Sequence, residues 1–241
     1  MGILAKGHKG FTIIEVMLFL AVSGALAAGV LGGSSVAINN QRYVDAANSF
    51  KAVVQEEFIN TTRVINLREA DTSSPCQVVP ALEARPPGAS DCVIIGRLVS
   101  INESGMMTRS NIIGLEPTTP APENDIEAIK AYQLTIDMLG QETTQMSCGT
   151  SVNRGGPNKP ASIIILRAPS GNVLSFVRST ETTTSAELRN GAFVNNQPRA
   201  ICVDASGWTV SQMQKIVIPA YTSTPSSVEQ QQVQNAGTEC V

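Results

Sequence analysis

The chain has 241 residues, of which 42% are hydrophobic and 15% charged, and its formal net charge is −3. This length allows one globular domain besides an N-terminal segment, and the acidic balance argues against a nucleic-acid-binding protein, which needs concentrated positive charge. The one histidine is His8, and because a Ser-His-Asp triad, a Cys-His pair and the usual zinc sites need an imidazole, we expect no enzyme, no metal site and no cofactor.

The N-terminus combines a basic leader with a long apolar run. Residues 1–10 contain Lys6, His8 and Lys9 and no acid, and the 23 residues 16–38 carry no charge. A run of this length predicts a membrane-spanning helix. The positive-inside rule places its N-terminus in the cytoplasm and the following chain outside the membrane. Glu15 lies immediately before the apolar run.

This stretch has three interpretations. A cleaved secretory signal, cut near Ala27, leaves an apolar run that is too long and has an acid at its start. A permanent single-pass anchor explains the length and orientation but gives Glu15 no role. In the third interpretation, residues 1–10 are a leader cut after Gly10, and the new chain begins at Phe11. The carboxylate in the first helical turn then interacts favourably with both the helix dipole and the new amine.

The sequence Gly10-Phe11-Thr12-Ile13-Ile14-Glu15, followed by the apolar run, resembles the class III signal of type IV pilins and type II secretion pseudopilins. The resemblance covers about the first 30 residues. It implies cleavage after Gly10 and N-methylation of Phe11 by prepilin peptidase, and a docking role for Glu15 in assembly. A buried Glu15 needs a partner, which is either a group of its own chain or the Phe11 amine of a neighbouring identical helix. The implied partners are other pilin subunits, identical or different, an inner-membrane assembly platform, and membrane lipid before assembly.

We expect the helix to continue past the membrane. Residues 11–38 form a transmembrane or filament-core helix, and residues 39–69 an amphipathic continuation. Gly32 and Gly33 leave open one helix ending near Leu67 or two helices broken at the glycines. The acidic pair Glu56 and Glu57 is expected to be solvated surface, as are Asp125 and Glu127. The predicted apolar stripe of the continuation is Tyr43, Ala46, Ala47, Phe50, Val53, Val54, Phe58 and Ile65.

Residues 70–221 predict a β-rich globular head. Residues 71–91 and 116–123 are loops rich in proline, and tight turns are expected at 168–172 and 204–207. The predicted fold is α+β and pilin-like, with the long helix packed on an antiparallel β-sheet. The predicted strands are 93–101, 132–136, 163–167, Val173–Arg178, 201–203 and 209–218.

All five cysteines lie beyond the helix, four in the head and one in the C-terminal tail, and this part of the chain is expected outside the cytoplasm, where disulfides persist. At least one cysteine must be unpaired or pair between chains. Cys76 and Cys92 bracket a loop, and a bridge between them would close about 15 residues. Residues 222–241 predict a flexible polar tail. Its Cys240 is open to pairing with Cys202 or Cys148, to an intermolecular bridge or to a free thiol.

The function predicted from the sequence is structural. The chain is expected to be a major or minor prepilin of a type IV pilus or a type II secretion pseudopilus, and a cell-surface filament subunit after assembly. The alternative is a membrane-anchored or pilus-tip binding protein, such as an adhesin or a DNA-uptake minor pilin. Residues 154–159 form a basic glycine loop with two charges, too few for phosphate-dominated binding, so a nucleic-acid partner is not expected.

Overall fold

The computed structural model describes residues 11–63, 92–115, 122–137, 141–153, 161–178, 180, 183–190, 199–205, 208, 212–219 and 224–233. Gly10, Cys76, Cys240 and the loop 154–159 lie outside the described residues, as do most of the predicted loops. The elements in chain order are α1 (Ile13–Thr62), β1 (Cys92–Ile101), β2 (Met106–Leu115), α2 (Asp125–Lys130), β3 (Thr135–Ile136), β4 (Glu142–Gln145), β5 (Val152–Asn153), β6 (Ala161–Arg167), β7 (Val173–Arg178), α3 (Ser185–Arg189), β8 (Arg199–Val203), β9 (Gln214–Ile218) and β10 (Glu229–Gln232).

Helix α1 is a single element of 50 residues. It begins after Thr12, whose side chain accepts a hydrogen bond from the backbone N–H of Glu15, the arrangement that satisfies a free donor at a helix start. It passes through Gly32 and Gly33 without a break, so the one-helix alternative is the observed one. At 1.5 Å per residue the helix is about 75 Å long.

The helix ends earlier than the sequence predicted. Its last residue is Thr62, and Arg63 is already extended, whereas the amphipathic continuation was predicted to reach residue 69. Two consecutive β-branched residues, Thr61 and Thr62, turn their hydroxyls back onto the carbonyl oxygens of Glu57 and Ile59. Such side-chain bonds compete with the helical backbone pattern and favour an end.

The head contains two antiparallel sheets. The larger, sheet A, has the strand order β3-β2-β1-β6-β7, and β4 pairs with β2 along the same edge as β3. The smaller, sheet B, has the order β10-β9-β8-β5. The α+β prediction of a long helix with an antiparallel sheet domain is confirmed.

Sheet A is covered on both faces, which explains its apolar strands. In β6, Ile163 and Ile165 pack in the core that contains α1, while Ile164 and Leu166 pack in a second core on the opposite face. That second core also contains residues of α2 and α3, including Ile129 and Leu188. A strand buried on both faces is expected to be continuously hydrophobic rather than alternating.

The predicted strands coincide in part with the observed ones, and β2 was missed altogether. Its Arg109, Ser110 and Asn111 interrupt the apolar pattern. The predicted flexible tail also proves partly wrong, because β10 pairs with β9 and buries Val228 and Val233 beside it. Backbone pairing therefore orders a segment whose polar composition predicted none.

Candidate functional site

The first half of α1 exposes an almost wholly apolar surface. None of its residues from Ile13 to Ile38 is buried. In the part of the chain that the structure describes, α1 is the one helix long and apolar enough to cross a membrane, and its most apolar 18-residue window has no buried residue. Exposing so much apolar surface to water is unfavourable. The surface therefore requires lipid or protein around it.

Phe11, Thr12 and Glu15 form the tip of this surface. Phe11 is 79% exposed and precedes the Thr12 cap. Glu15 lies in the first turn, where a negative charge interacts favourably with the helix dipole. Its carboxylate has no ion-pair partner among the residues that the structure describes. The tip thus presents an aromatic ring and an uncompensated acid side by side.

A shallow groove joins these groups. Phe11, Glu15, Val16 and Phe19 line a hollow of about 350 Å³. The spacing of four residues places Glu15 and Phe19 on one face of the helix, and Phe11, which precedes the Thr12 cap, lines the same hollow. The groove could receive an apolar side chain together with one positive charge, which is a contact function rather than a catalytic one.

The second half of α1 is buried in the head. Its buried residues are Tyr43, Ala46, Ala47, Phe50, Val54, Glu57, Phe58 and Thr61. The predicted stripe is therefore largely confirmed. Val53 is only partly buried against the core, and Ile65 lies outside the described residues.

Tyr43 fastens the helix to sheet B where the helix enters the head. Its hydroxyl donates a 2.7 Å hydrogen bond to the carbonyl oxygen of Val203 in β8 and accepts a 2.9 Å bond from the backbone N–H of Gln214 in β9. Its ring lies 6.5 Å from that of Trp208, centre to centre. Burial raises the pKa of the Tyr43 hydroxyl, so the group stays neutral and keeps both bonds at ordinary pH.

Glu57 fastens the helix to sheet A one turn before it ends. The side chain is fully buried and lies 2.5 Å from Nε of Arg97 in β1 and 3.4 Å from Nη1 of Arg109 in β2. Arg97 also donates a hydrogen bond to Asn111, and Arg109 contacts Glu56 and Glu142.

The prediction of solvated surface is therefore right for Glu56, whose side chain is 57% exposed, and wrong for Glu57. The heptad spacing of Glu57 from Phe50 and Tyr43 was the available signal, since it places the acid on the buried stripe. Asp125 and Glu127 lie at the surface of α2, as expected.

Two cysteines have described side chains. Cys148 is exposed and free. Cys202 is fully buried and disulfide-bonded. Cys76, Cys240 and the side chain of Cys92 lie outside the described residues, so the predicted pairs are not seen. Within the described part of the chain, no group of three or more His, Cys, Asp or Glu residues could hold a metal ion.

Comparison with family models identifies the same N-terminal stretch. Residues 5–31 match the model described as the prokaryotic N-terminal methylation motif. The match ends inside the exposed half of α1 and does not extend to the head. Searches among curated proteins and solved structures gave no significant match.

Proposed function

We propose that this chain, whose residues 5–31 carry the class III prepilin signal, is the precursor of a structural subunit of a type IV pilus or a type II secretion pseudopilus. The observation that carries the proposal is the coincidence of this signal with an apolar half-helix that the head leaves uncovered. The signal indicates a pilin-like structural protein, and the two fibre types share it.

The first step in this proposal is processing. Prepilin peptidase hydrolyses the bond between Gly10 and Phe11 and leaves an ammonium group on Phe11, which is then N-methylated. Residues 1–10 are the leader in this scheme. The exposed position of Phe11, just ahead of the first helical turn, is consistent with access to the new N-terminus.

The second step is assembly. Before it, lipid covers residues 11–38, with the N-terminus in the cytoplasm and the head on the other side. An inner-membrane assembly platform then transfers the subunit into a fibre, where neighbouring helices replace lipid. Glu15 of one copy pairs with the Phe11 ammonium of another. In an apolar surrounding an unpaired charge is strongly disfavoured, so this pair favours one axial register between copies.

The head, residues 70–221, would be displayed on the fibre, with residues 39–69 connecting it to the core. We propose the disulfides Cys76–Cys92 and Cys202–Cys240, which leave Cys148 as the odd thiol. The free Cys148 and the bonded Cys202 are compatible with this set.

Mass spectrometry of the N-terminal peptide from sheared cell-surface material tests processing and assembly together. We expect a peptide that begins with N-methylated Phe11 and is abundant in that fraction. A Gly10→Val variant serves as the control, since the bulkier side chain should block cleavage and keep the protein out of the fraction. An intact Met1, or a start beyond Ala27 with the protein confined to membrane or medium, would contradict the proposal.

Glu15 variants test the assembly contact separately. Glu15→Leu should insert into the membrane normally and lower the fibre yield at least about tenfold, because one partner of a buried charge pair is lost. Glu15→Asp keeps the charge and should retain more yield than Glu15→Leu. Normal fibre yield from Glu15→Leu would remove the docking role while leaving the processing result intact.

The copy number of the chain in purified fibres distinguishes the building-block role from the alternative of a pilus-tip adhesin or DNA-uptake protein. A stoichiometric subunit contradicts the tip role. One or a few copies per fibre would favour it.

A further inference from the structure

We propose that Tyr43 and Glu57 form a two-point polar clamp that sets the rotation and axial register of α1 on the head, and with them the direction in which the Phe11–Glu15 tip faces. The proposal concerns the folded chain itself and does not depend on fibre formation.

The two anchors are equivalent positions on the same helical stripe. Buried residues recur at 43, 47, 50, 54, 57 and 61, alternately four and three apart. Tyr43 and Glu57 are therefore two such repeats apart, and they point in nearly the same direction about 21 Å from each other along the axis. A rigid helix held at two such points can neither turn nor slide without losing both contacts.

The anchors reach different sheets. Tyr43 bonds to β8 and β9 of sheet B, and Glu57 binds arginines on β1 and β2 of sheet A. Strand pairing holds each of these partners at one position in its sheet. Arg97 faces α1 because it alternates with Leu98, which packs in the opposite core.

The apolar contacts alone leave the register less well defined. Burial of apolar surface is non-directional, and a stripe whose buried residues lie three and four apart offers similar contacts after a shift of one helical turn. Such a shift, by three residues, would place Glu57 in the apolar surroundings of Val54, where its charge would have no arginine partner. A buried polar group that is satisfied in only one arrangement specifies register in this way in other helical assemblies.

The rotation and register that the clamp sets also determine the position of the tip, because α1 is continuous from Ile13 to Thr62. A change of register at the clamp would rotate and displace Phe11 and Glu15 relative to the head.

Engineered cysteine pairs in the full chain, held in detergent micelles, measure the register. Oγ of Ser49 in α1 and Oγ of Ser147 are 3.0 Å apart, so Ser49→Cys with Ser147→Cys reports the native register. Pairing Ser147→Cys with Asp45→Cys or Ala52→Cys reports a shift of one helical turn in either direction. All of these variants also carry Cys148→Ser, which removes the free thiol. Crosslink yields under mild oxidation give a ratio of native to shifted register.

The clamp is removed by combining Tyr43→Phe, Glu57→Met and Arg97→Met, which keep the packing volume and leave Arg109 its bonds to Glu56 and Glu142. We expect the ratio to fall about tenfold in the folded protein. Phe50→Leu is the matched control, because it weakens the same stripe without touching a polar anchor, and it should lower stability with the ratio unchanged.

An unchanged ratio in the clamp variant, with lowered stability as in Phe50→Leu, would overturn the proposal. If the combined variant does not fold, the single variant Tyr43→Phe tests the proposal. It keeps the ring and should lower the ratio about threefold, and an unchanged ratio would again contradict the clamp.

Discussion

The two halves of α1 are one continuous helix placed in opposite surroundings. From Ile13 to Ile38 no residue is buried, and apart from Glu15 and a few serines the side chains are apolar on every side of the helix. From Tyr43 to Thr61 a single stripe is buried against both sheets, and the outer face is polar. Helical backbone geometry is the same in both halves. What differs is where the apolar surface lies around the axis.

This difference separates stability from assembly. The stripe of the second half is already covered by the head and should determine whether the head stays folded. The surface of the first half is uncovered in the single chain and becomes useful only with lipid or other copies around it. Substitutions in the two halves should therefore affect different measurements.

Matched phenylalanine substitutions should show the largest contrast. Phe50 is 1% exposed and Phe19 is 69% exposed. We expect Phe50→Ala to lower the free energy of unfolding by about 3–5 kcal/mol through loss of apolar contacts and a residual cavity. Phe19→Ala should change it by less than about 0.5 kcal/mol. Denaturant unfolding of the full chain in micelles, followed by Trp208 fluorescence, measures both. Equal losses would mean that the first half also packs on the head.

Matched cysteine substitutions test the same contrast between buried and exposed positions within the head. Cys202 is buried and bonded, whereas Cys148 is exposed and free. Cys202→Ser should cost about 2–5 kcal/mol, the usual range for removing a native disulfide, and Cys148→Ser less than about 0.5 kcal/mol. The same unfolding measurement under oxidising and reducing conditions separates them. A reductant that leaves Cys148→Ser as stable as before would argue against a stabilising bridge.

Matched glycine substitutions should have smaller effects of opposite sign. A Cβ at Gly96 in β1 would lie 2.1 Å from the carbonyl oxygen of Ile165, while one at Gly29 in α1 meets nothing within 4 Å. Gly96→Ala should therefore destabilise the head by about 1–3 kcal/mol through overpacking. Gly29→Ala should stabilise the helix by about 1 kcal/mol. Circular dichroism during thermal unfolding measures both, and a destabilising Gly29→Ala in the isolated chain would show that the first half is not open.

The smallest effect is a pH dependence confined to the surface of the head. The hydrogen bond from Arg178, followed by that from the Thr184 backbone, lowers the pKa of Glu187 from 4.5 to about 2. A lowered folded-state pKa contributes stability that is present above the ordinary value and is lost as the pH falls towards 2. Glu187→Gln should remove this part of the pH dependence of the unfolding temperature between pH 5 and 2. Carboxyl-carbon NMR that places the Glu187 pKa near 4.5 would contradict it.

Much of the second half of α1 was predictable because its stripe follows from a local rule. Apolar residues spaced by three and four must lie on one face of a helix, whatever they pack against. The same spacing puts Glu57 on the buried face, but the prediction left it out of the stripe and assigned it to the surface because it is charged. The positions of Arg97 and Arg109, which make its burial possible, are set by the pairing of β1 with β2.

Strand β2 shows the same limit. Its Arg109 and Asn111 break the apolar pattern that marks a strand, and they do so because they face the buried Glu57 and its partner Arg97. A polar residue in a strand can be explained only once its partner is known. For Arg109 that partner is Glu57, which is 52 residues away along the chain.

The sequence by itself determined the N-terminal signal, the apolar span and the α+β class, because each depends on residues close together in the chain. The tertiary structure alone decided which polar groups are buried, that the polar segment after Thr224 forms a strand, and that both faces of sheet A are covered. Those features depend on free energies shared between distant segments. A buried charge or an edge strand is stable only when its partner from elsewhere in the chain satisfies it.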